Sequence, residues 1–451
     1  MGQELTAATQ DSRWFDDAGL GLFIHWDHAS EQGLEISWPM AGGLFALPHC
    51  QDVSPEQYHS TAATFDPQRW DPAALAELAW DAGMRYVVFT AKHHNGFAMF
   101  ATQTSRHSVA HFAGRDLVEE TTAAFRAKGF RIGLYFSLSD WSHPDYPPLL
   151  AQHRPYFPYL TPPVPDDATS ERFRAALLAQ LRELLTNYGR IDVVWFDGQW
   201  ERSADWWDVE QIAQLCRSLQ PGILINDRLP SHGDFLTPEQ FVPAVAPGPR
   251  WESCYTMNES WGYNPSDTNY KSVYELITAA TETVGRGGNL LLNVSPRGDG
   301  SLPAEQLDRL RALADWMAVN GEAIHGVEAG LEPWQFYGPS TRRRSGDGGG
   351  GTDSGEGGDT ETVYCVLVMD PIGPVVVRGV RISRVTAVEE LGAAEPLRYS
   401  TRCAVLDRLV ADPLGELVID VKPSASGTGA GTGSGDTRVR VLRLSFAPGV
   451  R

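Results

Sequence analysis

Seven short apolar runs of this chain each carry, near one end, side chains able to bind, polarise or transfer protons. The first delivers His25, Trp26, Asp27 and His28, the second Lys92, His93 and His94, and the third Tyr135, Ser137, Asp140 and Trp141. The fourth ends in Trp195, Asp197 and Gly198, and the fifth in Asn226, Asp227 and Arg228. The sixth brings Trp251 and Glu252, the seventh Asn289 and Asn293. One aspartate at a strand end is more often a helix cap than a catalytic group. Seven such ends together fit a polyhydroxylated ligand, held by many hydrogen bonds and flanked by indole faces.

Three chemistries could draw on this set. Metal-assisted hydrolysis would take His25, His93 and His94 with a carboxylate. Adjacent residues of an extended strand point to opposite sides, so His93 and His94 could not both ligate without a bulge. The chain holds neither HxH nor HExxH, and no metal or other cofactor is expected. Schiff-base chemistry on Lys92 would need a desolvated amine with no counter-ion beside it. Glycoside hydrolysis needs an ionised and a protonated carboxyl group on either side of a sugar. Asp197 and Glu252, each beside a tryptophan, supply such a pair.

These groups need a scaffold that gathers seven strand ends. The runs GLGLFIHWD (19–27), RYVVFTA (85–91), RIGLYFS (131–137), RIDVVWFDG (190–198), GILINDR (222–228), RWESC (250–254) and GNLLLNVSP (288–296) include several that are continuously apolar. Strands covered on both faces read in this way. Helical patterns ending at Gly, the first with an Asp-Pro start, lie between them, at 71–83, 116–129, 171–189, 269–288 and 302–321. This repetition predicts a (β/α)8-like, TIM-type barrel over residues 1–330, with the reactive groups at the strand C-termini. No GxGxxG follows a strand, which lowers the case for an open dinucleotide-binding sheet. Residues 331–451 read as short strands with turn signals, an all-β sandwich. Two glycine-rich tracts, at about 345–360 and 424–437, are expected as flexible hairpin loops within it. After residue 340 the chain has no Trp and only two tyrosines, Tyr364 and Tyr399, so the sandwich reads as a packing domain rather than a carbohydrate-binding module.

A formal charge of −20 disfavours nucleic acid and anionic membrane surfaces as partners. Five scattered cysteines form no CxxC pair. The opening MGQELTAATQDSRW has no signal-type apolar run and no stretch reaches spanning length, so a cytoplasmic location is expected.

The runs GLFIHWDHAS, TAKHHNGFAMF, SLSDW, VVWFDG, WESCYTMNESWGYN and GNLLLNVSPRGDG stand in the order found in family 29 α-L-fucosidases, which this chain resembles from residue 14 to about 320. The resemblance implies a retaining exo-hydrolase acting on fucosylated oligosaccharides or glycoconjugates through a covalent fucosyl-enzyme intermediate. It implies Asp197 as nucleophile, His25, His93 and His94 as ligands of sugar hydroxyls, Trp195 in the pocket wall, and Arg228 near the carboxylates. Glu252 is the expected acid/base, with Glu259 as the fallback. Tyr135 and Trp141 belong to the expected pocket, and Phe23, Trp141 and Trp261 are candidates for the apolar wall that the sugar's methyl group needs. Where the family usually has a glycine after HW this chain has Asp27, and the segment 33–43 also departs, making Glu35 and Trp38 possible sugar contacts. A related glycosidase for another fucose-like sugar, or an idle carbohydrate-binding protein, are the alternatives.

Overall fold

In the computed structural model, which describes residues 12–41, 53–146, 165–344, 360–423 and 439–448, the seven runs form one parallel sheet. Its strands are β1 (Leu20–Ile24), β2 (Tyr86–Lys92), β3 (Arg131–Ser137), β4 (Val193–Asp197), β5 (Leu224–Ile225), β6 (Glu252–Thr256) and β7 (Asn289–Val294). They lie in the order β5-β4-β3-β2-β1-β7-β6. An irregular run, residues 234–240, fills the gap between β5 and β6. On one side Asp234 N donates to Ile225 O at 2.7 Å and Asp227 N to Phe235 O at 3.0 Å. On the other, Glu252 N donates to Leu236 O and Gln240 N to Cys254 O, both at 2.9 Å. The bridges on both sides are parallel, so this run takes the eighth place of the barrel. Pro238 cannot donate to a ladder, which keeps the run irregular and hid it in the sequence.

The helices Pro72–Asp81, Leu117–Lys128, Asp167–Asn187, Val273–Gly285 and Ala304–Asn320 stand where the apolar periodicity puts them, and Val209–Leu219 adds one between β4 and β5. Asp71, Asp116 and Asp166 cap three of them through backbone N–H groups of Ala74, Glu119 and Thr169. Alternation along the strands then sorts the core. Leu22, Ile24, Val87, Phe89, Ile132 and Leu134 pack outward beneath the helices, while Phe23, Tyr86, Val88, Tyr135, Trp195 and Leu291 fill the interior. Gly21 makes one interior contact possible, since a Cβ there would stand 2.3 Å from Tyr86 Cζ.

The C-terminal part pairs two antiparallel sheets. Strands β8 (Glu328–Ala329), β9 (Ser340–Arg344), β10 (Glu361–Leu367), β12 (Val385–Glu390) and β15 (Arg440–Phe446) run in the order β12-β15-β10-β9-β8. Strands β11 (Val375–Arg381), β13 (Tyr399–Arg402) and β14 (Leu414–Ile419) run as β11-β14-β13. Val363, Cys365 and Leu367 face the sandwich core, and alternate residues Tyr364 and Val366 join the barrel-side core. Trp316 Nε1 of a barrel helix donates to Val439 O at 2.9 Å. The glycine tracts fall outside the described residues, at 345–359 and 424–438. The described strands on either side are β9 and β10 for the first, and β14 and β15 for the second.

Candidate active site

The strand C-termini open into a cavity of about 390 Å³ lined by Phe23, His25, Trp38, His93, Tyr135, Trp195, Asp197, Trp200, Arg228, Glu239, Gln240, Glu259 and Trp261. Its volume suits a small ligand such as a monosaccharide. Asp197 is the last residue of β4 and its side chain is 13% exposed. Tyr135 donates to its Oδ2 at 2.8 Å and Arg228 to its Oδ1 at 3.0 Å. Gly198 follows at φ 77°, where any Cβ would stand 2.5 Å from Ser139 Oγ, so this turn requires glycine.

Arg228 reaches a second carboxylate. Its other terminal nitrogen donates to Glu239 Oε2 at 2.7 Å, so one guanidinium holds Asp197 and Glu239 together. Burial lowers its pKa, and the two neighbouring carboxyl groups outweigh that and raise it. The guanidinium carbon lies 5.1 Å from the Trp195 ring centroid.

The histidines are held neutral by burial, with His25 and His94 lowered to about 3 and His93 well below its ordinary value. Asn293 Nδ2 donates to Trp261 O, so its Oδ1 is the atom facing His25, at 2.8 Å from Nδ1. His25 therefore carries its proton on Nδ1. Ser137 gives its one proton to Ser139 O at 2.7 Å and must accept from His94 Nδ1 at 2.6 Å. That leaves the lone pair of His94 Nε2, a buried atom with no hydrogen-bond partner among the described residues, 3.7 Å from Asp197 Oδ2. A neutral imidazole presenting a lone pair is a hydroxyl acceptor. His93 stacks on Tyr135 at 5.3 Å between ring centroids, with Ser37 Oγ 2.6 Å from its Nδ1.

Comparison with known proteins bears on which sugar this is. The family model for alpha-L-fucosidase matches residues 3–322. The chain belongs to the alpha-L-fucosidase family. It is similar to an alpha-L-fucosidase of Branchiostoma floridae, 30% identical over 415 residues, covering 86% of this chain and 85% of the relative. Among solved structures it resembles alpha-L-fucosidase isoenzyme 1 from Paenibacillus thiaminolyticus, with TM-score 0.76, 29% identity and 97% and 99% of the two chains covered. It also resembles a Thermotoga maritima alpha-L-fucosynthase in complex with alpha-L-Fuc-(1-2)-beta-L-Fuc-N3, with TM-score 0.68, 26% identity and 96% of each chain covered.

In this alpha-L-fucosidase family member the cavity brings together Asp197, His25, His93, Trp195, Arg228, Tyr135 and Trp38 from the sequence-predicted set. His94 stands against Asp197 at its edge. His93 and His94 do come together, with ring centroids 4.2 Å apart, against the expected alternation. The register slips between Thr90 and Lys92 and the chain turns after β2, so the two rings are not on an extended strand.

Three expected residues are not in the cavity. Glu252 opens β6 instead of ending it and lies inside the barrel, 1% exposed. Its oxygens accept from Tyr86 OH and Trp195 Nε1, each at 2.6 Å, and burial raises its pKa to about 7. It is a buried support for Trp195. Glu35 is fully buried and its Oε1 accepts from Trp261 N and from Gly262 N, at 3.1 Å for the latter, so it fixes the turn carrying Trp261. Trp141 backs His94 at 5.1 Å and donates to Glu201 Oε1 at 2.7 Å. Phe23 and Trp261 do face the cavity. Asp27 is also withdrawn, capping the 3-10 turn His28–Gln32 through Ala29 N. Lys92 pairs with Asp140 at 3.5 Å, the counter-ion that Schiff-base chemistry would have to lack. The sequence reading missed Trp200, Glu239 and Gln240. The last two lie on the irregular eighth run, and a count of carboxylates beside each apolar run would not have reached them.

Proposed function

We propose that the protein hydrolyses terminal α-L-fucosides with retention, Asp197 forming a fucosyl-enzyme and Glu239 acting first as acid, then as base. The supporting observation is the shared guanidinium of Arg228, which keeps the two carboxylates as near neighbours at one cavity wall. Retaining pairs stand roughly 5–5.5 Å apart. Glu259 also faces the cavity, from the loop after β6, and accepts from Asn269 at 3.0 Å.

In the first step an Asp197 oxygen bonds to the anomeric carbon as the bond to the aglycone oxygen breaks, and Glu239 gives that oxygen its proton. In the second, water gives a proton to Glu239 and attacks the same carbon, releasing fucose and the Asp197 carboxylate. Tyr135 and Arg228 hold the nucleophile in place. The Nδ1–H tautomers of His25 and His94 leave acceptor nitrogens for sugar hydroxyls. Phe23 and Trp261 offer an apolar wall to the 6-methyl group.

The test is fucose release from an aryl α-L-fucoside and a panel of fucosylated oligosaccharides. Asp197→Ala is expected to lose activity by about three orders of magnitude or more. Glu239→Ala should keep the first step on the activated aryl fucoside and be rescued by azide, giving a fucosyl azide of retained configuration. Rescue of Glu259→Ala instead, with Glu239→Ala unaffected, would transfer the acid/base role to Glu259.

A further inference from the structure

We infer that His28, His59 and His107 form a binding site for one divalent transition-metal ion of the zinc type, separate from the fucosyl cavity. Each offers a ring nitrogen, and these three nitrogens lie within 4.8 Å of one another. None of the three residues lines the fucosyl cavity.

The hydrogen bonds around the rings decide which nitrogens are available. Thr61 has one hydroxyl proton and donates it to Tyr58 O at 2.8 Å. It therefore accepts from His28 Nδ1, leaving the His28 Nε2 lone pair exposed to the cluster. Ser142 likewise donates to Asn95 O at 2.6 Å and must accept from His59 Nε2 at 3.1 Å, which leaves the His59 Nδ1 lone pair. His28 Nε2, His59 Nδ1 and His107 Nε2 are all buried and have no hydrogen-bond partner among the described residues. Buried polar atoms are normally satisfied, so three orphaned ring nitrogens at one spot, two of them acceptors by their hydrogen bonds, call for a shared cation. Metal-bound histidines usually donate their second nitrogen to an oxygen, as His28 and His59 do here.

The surroundings favour neutral ligands. Burial keeps all three imidazoles below the ordinary histidine pKa, His107 at about 4, so a metal meets little competition from protons. Tyr58 and Phe97 wall the site, with ring centroids 5.1 and 4.7 Å from His28. Asp140 supplies a negative field felt by both His59 and His107. Tetrahedral zinc places its donors roughly 3.3 Å apart, so binding would draw the rings inward, with a fourth position for water.

Such an ion would tie together the turn after β1, the helix Pro55–Ser60 and the loop after β2. The same segments back the sugar pocket. Tyr58 OH accepts from Asn95 Nδ2 at 2.6 Å, and Ser37, which accepts from Asn95 N, lies against His93.

The 451-residue chain stripped with EDTA would be titrated with zinc chloride, reading bound metal per chain and the shift in Tm. Wild type and Asp197→Asn are expected to bind one zinc per chain with a higher Tm. Asp197→Asn serves as a control because Asp197, His93 and His94 could also gather a cation. His59→Ala and His107→Ala, chosen because His28 is the most enclosed of the three, should each weaken binding by more than about tenfold. No stoichiometric zinc in wild type, or undiminished binding in both histidine variants, would overturn the site. Neither result depends on whether the chain cleaves fucosides.

Discussion

Arg228 gathers two carboxylates at the price of making both depend on its planar fork. Lysine offers a point charge that cannot contact both with the same geometry. Arg228→Lys is expected to lower kcat by about tenfold or more on aryl fucosides with little change in Tm, a split that steady-state rates and a melting curve would reveal. Glu252 behaves in the opposite way. Both of its oxygens accept, so Glu252→Gln turns an amide N–H toward a donor and is expected to cost about 1–3 kcal/mol of stability by denaturant titration. At this scale the sequence exposed types better than positions. WESC shows a tryptophan and a carboxylate, but not that the strand begins at Glu252 and carries it to the closed end of the barrel. The strand ends at His25, Lys92 and Asp197 were legible because a long apolar run fixes its own direction.

At the scale of elements, the irregular run 234–240 deserves its own variant because it both closes the barrel and carries Glu239. Asp234 latches it, accepting from Ile225 N at 2.8 Å and from Arg217. Asp234→Ala should lower stability by about 1–3 kcal/mol and reduce fucose release well below the melting range, while Glu239 itself is unchanged. Full activity in that variant at low temperature would show that the latch does not position the acid/base. This run was also the least legible element, since Thr237, Pro238 and Glu239 break any strand pattern and only pairing partners distant in sequence make it one. The helices were read well for the reverse reason: their caps and periodicity are local. The histidines of the inferred metal site come from three separate segments with no ligand spacing, so the sequence reading expected no metal.

Over the whole molecule, buried titratable groups set the pH range of the fold. His25, His93, His94 and His325 stay neutral when folded, so below about 6.5 the unfolded chain binds protons the folded one refuses, and stability falls with pH. Glu35 and Glu252, raised to about 7, act the other way, holding protons in the folded state that the unfolded chain has lost above about 4.5. Even with Asp27, which burial raises to about 6, four histidines outnumber the three raised, fully buried carboxyls between these limits. Tm is expected to rise by several degrees from pH 5 to 6.5, and the rise should steepen in Glu252→Gln, where one opposing group is gone. A flat profile would contradict the assignment. The topology of the sandwich has a different consequence, in time. β15 lies between β12 and β10 at the heart of the larger sheet, although it is made after every other described strand. During synthesis the barrel has all eight of its places once residue 294 has emerged, whereas β10 waits unpaired along one edge and β12 without a strand partner among the described residues until residues 440–446 follow. A ribosome that stops short of them leaves two open strand edges, the kind of surface that chaperones bind and neighbouring chains adhere to.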